Sequence, residues 1–218
     1  MYQCNFFDWQ IMSFQPAQIP NNDNKRVEAV HRADVIEEID SKLYEIFCFL
    51  AKEITGCPVS WTGVIDSEKQ VMLARDGFPD DVPNEMPRNQ TLCQFALERK
   101  QPLIINNMVK DTRFRYHPAV TDFGVRFYAA FPIVTSDGYT LGTLCVSDNK
   151  VRKLTKHKIS LLMGLATKLA YQLEVQVSQR KGTAESTIHI LNKLLLKYPD
   201  LKVLEAISVL KFIIKDFI

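Results

Sequence analysis

The stretch that most constrains this chain is Arg126 to Asn149, RFYAAFPIVTSDGYTLGTLCVSDN. Phe127, Tyr128, Phe131, Ile133 and Val134 supply the aromatic and β-branched side chains that suit a pleated surface. Leu141, Thr143, Leu144, Cys145 and Val146 form a second run of the same kind. Asp137-Gly138 lies between them, and glycine tolerates the positive φ of a tight hairpin turn. Apolar groups fall on both faces, so the hairpin has to be central and covered on both sides. Strand alternation puts Arg126, Tyr128 and Ala130 on one face and Phe127, Ala129 and Phe131 on the other. It leaves open which face meets a binding site.

Everything else packs around that hairpin. Residues 1–24 hold Pro16, Pro20 and the run Asn21-Asn22-Asp23-Asn24, and read as an extended arm. A single helix is expected over 25–55, because Ile36, Ile39, Leu43, Ile46, Leu50 and Ile54 recur at helical spacing. Gly56 stands where a helix-stopping glycine belongs. Strands follow over 59–66 and 70–76, joined at Ser67-Glu68-Lys69. Thr91 with Gln94 resembles a capping box and opens a helix to about residue 100. Leu103-Ile104-Ile105 is a short buried strand. Residues 106–125 make a long excursion, the kind of segment that usually has a function such as covering a pocket. A helix over 155–179 carries Ile159, Leu162, Ala166, Leu169 and Leu173 near a heptad seam, and two more helices are expected over 185–197 and 201–217. The domain reading is an arm over 1–24, a domain with flanking helices over 25–180 and a helical extension over 181–218.

Composition narrows the function. A formal net charge of +2 over 218 residues argues against nucleic acid as a partner. The charge is uneven: 1–150 is net −5 and 151–218 net +7, so the tail is either a solvated face or a surface for an acidic partner. Cysteines at 4, 48, 57, 93 and 145 are odd in number, with no CxxC and no metal-ligand spacing. They suit a reducing, cytoplasmic compartment. The first ten residues lack the basic start and apolar run of a signal peptide, and no stretch reaches the length of a membrane span.

RFYAAFPIV, then DG, then LGTLCVSD resembles the core of a GAF domain. Asp111 to Phe114 (DTRF), followed by Tyr116-His117-Pro118-Ala119-Val120, matches the segment before this hairpin, and Arg152-Lys153-Leu154 matches the exit from it. The resemblance covers about Ile36 to Glu174. It implies an α+β fold of PAS-related type: a mostly antiparallel central sheet, helices on both faces, and one face used as a pocket. It also implies that Trp61, Cys93, Asp111, Phe114, Arg126 and Tyr128 line or close that pocket.

Each of these residues has a chemical and a plainer reading. Cys93, near a helix start, gains thiolate character from the macrodipole and could serve redox chemistry, or it simply lines the site. GAF enzymes that reduce free methionine sulfoxide keep extra cysteines in the covering loop, and 106–125 has none. Bilin-binding relatives use a Cys-His pair there; here His117 stands without a cysteine and shapes a turn or meets a ligand. Asp111 pairs with an arginine to hold the cover, or Arg126 meets an acidic ligand, or the set is a structural salt bridge. The Asn-Lys-Phe-Asp signature of cyclic-nucleotide GAF domains is absent. Trp61, Phe114, Phe123, Phe127 and Tyr128 stack on a planar ligand or fill core. No catalytic nucleophile set, metal motif or phosphate-binding glycine loop is visible.

The expected function is a non-enzymatic small-molecule-sensing or signalling module that acts through its flanking helices on a separate signalling protein. The alternatives are a ligand-free dimerisation scaffold and a methionine sulfoxide reductase-like redox enzyme. The seams on the two long helices imply a homodimer, and the ligand and any cofactor are unknown.

Overall fold

The computed structural model describes residues 13–33, 36 and 41–179, with side chains described to residue 175. The expected helices over 185–197 and 201–217 lie outside them. The account below concerns the compact unit that ends at Glu174.

The fold is α+β. Helix α1 (Asp23–Arg32) and helix α2 (Lys42–Thr55) precede strands β1 (Val59–Ile65), β2 (Lys69–Asp76) and β3 (Glu85–Pro87). Then come β4 (Leu103–Ile105), the single-turn α3 (Pro118–Thr121), β5 (Phe127–Val134), β6 (Thr140–Asp148) and the long α4 (Lys156–Gln179). The sheet has six strands in the order β3-β2-β1-β6-β5-β4, and every neighbouring pair is antiparallel. The β5–β6 hairpin is central as expected, with Gly138 at φ 88° in its turn. Strand β6 is buried along its whole length. β1 and β6 approach so closely that a Cβ on Gly142 would run into the Gly63 carbonyl. Glycine is needed there for want of space, without a positive φ.

Two apolar layers flank the sheet. On one side Phe127, Ala129, Phe131, Leu144 and Val146 pack with residues of α1, α2 and α4. On the other, Trp61, Tyr128, Ala130 and Cys145 pack with Leu92, Cys93, Met108, Phe114 and Val120. The two long helices therefore share one face and the 106–125 excursion covers the other.

Three local expectations change. The single helix over 25–55 is two helices, interrupted after Arg32. Helix α1 is anchored by a buried ion network as well as by Ala29 and Val30 in the apolar core. Arg26, fully buried, donates to the carbonyls of Ile65 and Asp66 at the β1–β2 turn, and pairs with Asp23 at 2.6 Å. Arg88 grips the same carboxylate at 2.6 and 2.9 Å. On α2 the fully buried positions are Tyr44, Cys48, Ala51 and Thr55, one step round from the Leu43-Ile46-Leu50-Ile54 stripe, which is only partly buried. The helix still ends at Gly56 in the left-handed region. On α4 the expected seam does turn inward: Leu162, Ala166, Leu169 and Leu173 are all fully buried within the protomer.

The third change concerns the expected helix over 91–100. It is a four-residue 3-10 turn, Cys93–Ala96, continued by further i→i+3 bonds at Leu97 and Arg99. Half of the capping box forms, with Thr91 Oγ1 accepting from the Gln94 amide at 3.3 Å. The Gln94 side chain donates to the Thr91 carbonyl, 2.8 Å, and accepts from the Ala17 backbone, 3.0 Å. Gln94 thus fastens the N-terminal arm instead of extending a helix.

Candidate functional site

Pairing register builds the floor of the site. Leu103 opposes Ala130, Ala130 opposes Cys145, and Cys145 opposes Trp61. Strand alternation points that row at the cover. Ala130 and Cys145 are small, and Cys93 packs into the same cluster over them. Its sulfur lies 3.6 Å from that of Cys145. Tyr128 Oη donates to Cys93 Sγ at 3.3 Å and sits 3.4 Å from Cys145 Sγ. The Cys145 thiol in turn donates to Thr143 Oγ1, 3.0 Å. The Trp61 ring stacks on Tyr128 at an interplanar angle of 29°, 5.8 Å between centroids, and Phe78 meets it edge-on at 5.4 Å.

The environment separates the two thiols. Burial pushes Cys145 well up, and the neighbouring Cys93 adds to it. Burial also raises Cys93, but hydrogen bonds from Cys145, Thr143, Tyr128 and Trp61 outweigh it and leave that thiol below the ordinary range. A four-residue 3-10 turn has little macrodipole, so the expected helix-start effect on Cys93 gives way to side-chain donors. Tyr128 itself is held well above the ordinary phenol range by burial.

The roof is the 106–125 segment. Phe114 is fully buried and meets Phe95 edge-on at 4.8 Å. His117 caps α3: its Nδ1 accepts from the Ala119 amide, 3.0 Å. Nε2 therefore carries the proton and donates to the Gln90 carbonyl, 2.9 Å. Burial lowers the pKa of this imidazole, against the opposing effect of the Gln90 bond. Phe14 of the arm closes over the ring, edge-on at 4.4 Å.

The structure thus brings Trp61, Cys93, Phe114 and Tyr128 into one cluster. It does not join Asp111 to Arg126. Asp111 is held by Arg113, two residues on, through a bidentate pair at 2.7 and 3.0 Å. Arg126 Nη1 instead donates to the carbonyls of Val120 and Val125, both 3.1 Å. The reason is reach: Asp111 finds its cation within its own turn, while Arg126 sits at the base of β5 beneath the open carbonyls of the cover. Of the other aromatics, Phe127 faces the helices and Phe123 is exposed. Sequence reasoning missed Cys145 as a site residue, along with Thr143, Gln94 and the double role of His117. The alternation of β6 held the signal for Cys145, once Tyr128 is known to face the cover.

The family model described as GAF domain matches residues 42–173. The chain belongs to the GAF domain family. GAF domains are signalling or sensor modules, and the six-stranded sheet with flanking helices is their fold. Among curated proteins the chain is 28% identical over 145 residues to a cyclic di-GMP phosphodiesterase of Pseudomonas aeruginosa, covering 66% of this chain and 24% of that protein. It therefore spans about a quarter of the length of that relative. Two solved structures share the fold. The GAF domain of an Acinetobacter phosphoenolpyruvate-protein phosphotransferase superposes with a TM-score of 0.55 at 13% identity, over 76% of this chain and 99% of that one. Free methionine-R-sulfoxide reductase of Neisseria meningitidis, in complex with its substrate, gives 0.52 at 17%, over 78% and 97%. Among the described residues, no helix is long and apolar enough to cross a membrane.

Proposed function

We propose that this chain is a non-enzymatic small-molecule-sensing and signalling module. The observation that carries the reading is the convergence of Trp61, Cys93, Phe114 and Tyr128 under one roof. That roof is an irregular segment held by the buried side chains of Met108, Phe114 and Val120 and by hydrogen bonds that include those from Arg126 and His117 to backbone carbonyls. Such a segment belongs to the low-stability end of a fold and can open without unfolding the sheet. A ligand entering there meets aromatic faces, a phenol hydroxyl and two thiols, and its arrival shifts the arm through Gln94 and Phe14. Beneath the sheet, α2 and α4 carry the response to a partner. Exposed Phe49 on α2 and Tyr171 on α4 are candidate contacts for a second copy of the chain or for that partner. The curated relative supports a signalling setting and makes a cyclic di-GMP-turnover enzyme a reasonable class of output protein. The four cysteines among the described residues are buried and free, which suits a reducing, cytoplasmic setting.

A ligand-free dimerisation module is the second reading. It is favoured by the full burial of Phe114 and Tyr128, whose side chains already occupy the interior under the roof. Native mass spectrometry of freshly purified full-length protein separates the two. A stoichiometric small-molecule adduct that leaves on denaturation supports sensing. A bare dimer, with the cover as protected from exchange as the sheet, refutes it in favour of the scaffold.

A further inference from the structure

We propose that Cys93 and Cys145 are a redox-responsive pair, which a hydroperoxide converts into a reversible disulfide beneath the cover. The two sulfurs are in contact at 3.6 Å, and both are buried. A disulfide needs about 2.0 Å, so the gap closes with a movement of roughly 1.6 Å. Cys93 can supply it, because it sits on a short 3-10 turn and not in the ladder that fixes Cys145.

The surroundings assign the roles. Tyr128 donates a hydrogen bond to Cys93, which stabilises its thiolate. Cys145, pushed up by burial, stays a thiol and waits as the resolving partner. In the first step the Cys93 thiolate attacks one peroxide oxygen. An S–O bond forms, the O–O bond breaks, and the leaving alkoxide or hydroxide takes a proton. In the second step the Cys145 sulfur attacks the sulfenic sulfur. The S–S bond forms, the S–O bond breaks, and water leaves with the Cys145 proton. The two thiols lose two electrons, and the peroxide becomes an alcohol (or water) plus water. The remaining described cysteines do not compete. Cys48 and Cys57 pack on the helix side of the sheet, and burial pushes the Cys48 thiol up to about 12.

The consequence is structural. Oxidation takes both thiol partners from the fully buried Tyr128 hydroxyl. A buried hydroxyl left with only weakly accepting disulfide sulfurs is driven to move toward a stronger partner. Tyr128 is stacked on Trp61, which Phe78 meets edge-on, so that movement is passed along the floor of the site toward the segment after β2. This mechanism does not depend on a bound small molecule, so it survives or fails separately from the sensing reading.

The test uses the reduced full-length chain, treated under native conditions with hydrogen peroxide, then denatured and alkylated. The expected result is loss of two of the five alkylatable thiols, a cross-linked peptide joining Cys93 to Cys145, and full recovery with dithiothreitol. Cys145→Ala should halt the reaction at a dimedone-reactive Cys93 sulfenic acid. If that variant does not fold, peptide mapping of the wild type decides alone. Retention of all five thiols, a cross-link through another cysteine, or over-oxidation of Cys93 with Cys145 left free would each overturn the proposal.

Discussion

The imidazole of His117 joins two separate segments: Nδ1 receives the Ala119 amide at 3.0 Å while Nε2 donates to the Gln90 carbonyl at 2.9 Å. The arrangement requires the neutral ring, since protonation at Nδ1 removes the acceptor that caps α3. Burial lowers the folded-state pKa below the ordinary 6.5. A lowered pKa for a base means that the unfolded chain takes up the proton first. The stability it contributes is present above 6.5 and lost as pH falls through the lowered value. The urea midpoint should therefore fall with acidification below neutrality, and His117→Ala should flatten that slope. At neutral pH the variant should cost about 1–3 kcal/mol, combining a lost cap with an orphaned carbonyl. An unchanged pH slope in the variant would refute the role.

Arg126 holds the roof and Asp111 does not. Arg126→Met should speed hydrogen exchange over 106–125 before global unfolding, since two carbonyls lose their donor. Asp111→Ala removes a half-exposed local pair with Arg113 and should change stability by about 1 kcal/mol or less. Equal loosening in both variants would restore a shared lid network.

The Asp23 carboxylate holds two arginines in a largely buried site. Burial opposes its ionisation, but the hydrogen bonds of Arg88 and Arg26 outweigh this and hold its pKa below 3.8. The network's stability is thus present above pH 3.8 and lost as pH falls through the lowered value. Asp23→Ala should cost about 3–5 kcal/mol, because it strands buried positive charge. Chemical denaturation at pH 7 and near pH 3 measures both: the gap between wild type and variant should narrow in acid.

A homodimer built on the helices has to use what the protomer leaves uncovered. Leu169 is fully buried against its own sheet, so Leu169→Glu should unfold the protein rather than dissociate it. Phe49→Glu should leave the melting temperature within a few degrees and shift sedimentation equilibrium to monomer. A wild-type monomer at tens of micromolar would remove the dimer from the reading.

Free methionine sulfoxide should not be turned over with a dithiol reductant. The cover carries no cysteine, and Cys93 is buried in one cluster with Phe114 and Tyr128. Robust turnover that disappears in Cys93→Ser would overturn this.

What the sequence determined by itself was whatever local chemistry dictates. The β5–β6 hairpin followed from β-branched and aromatic alternation about Asp137-Gly138. The stop of α2 followed from Gly56, and the long α4 from its three-four spacing. The grouping of Trp61, Cys93, Phe114 and Tyr128 was legible through the resemblance of ordered motifs. What only the tertiary structure decided was every choice between equivalent partners. Alternation splits Tyr128 from Phe127, but which side faces the cover depends on where α2 and α4 pack. The partner of Asp111 could be any arginine nearby, and chain reach selected Arg113. The break after Arg32 is invisible to periodicity, as is the long-range ion network that ties α1 to the β1–β2 turn. The contact of Cys93 with Cys145 joins residues fifty-two apart in the chain. It exists because register aligns Ala130 and Cys145 into a row of small side chains, and space, unlike propensity, is a property of the assembled fold.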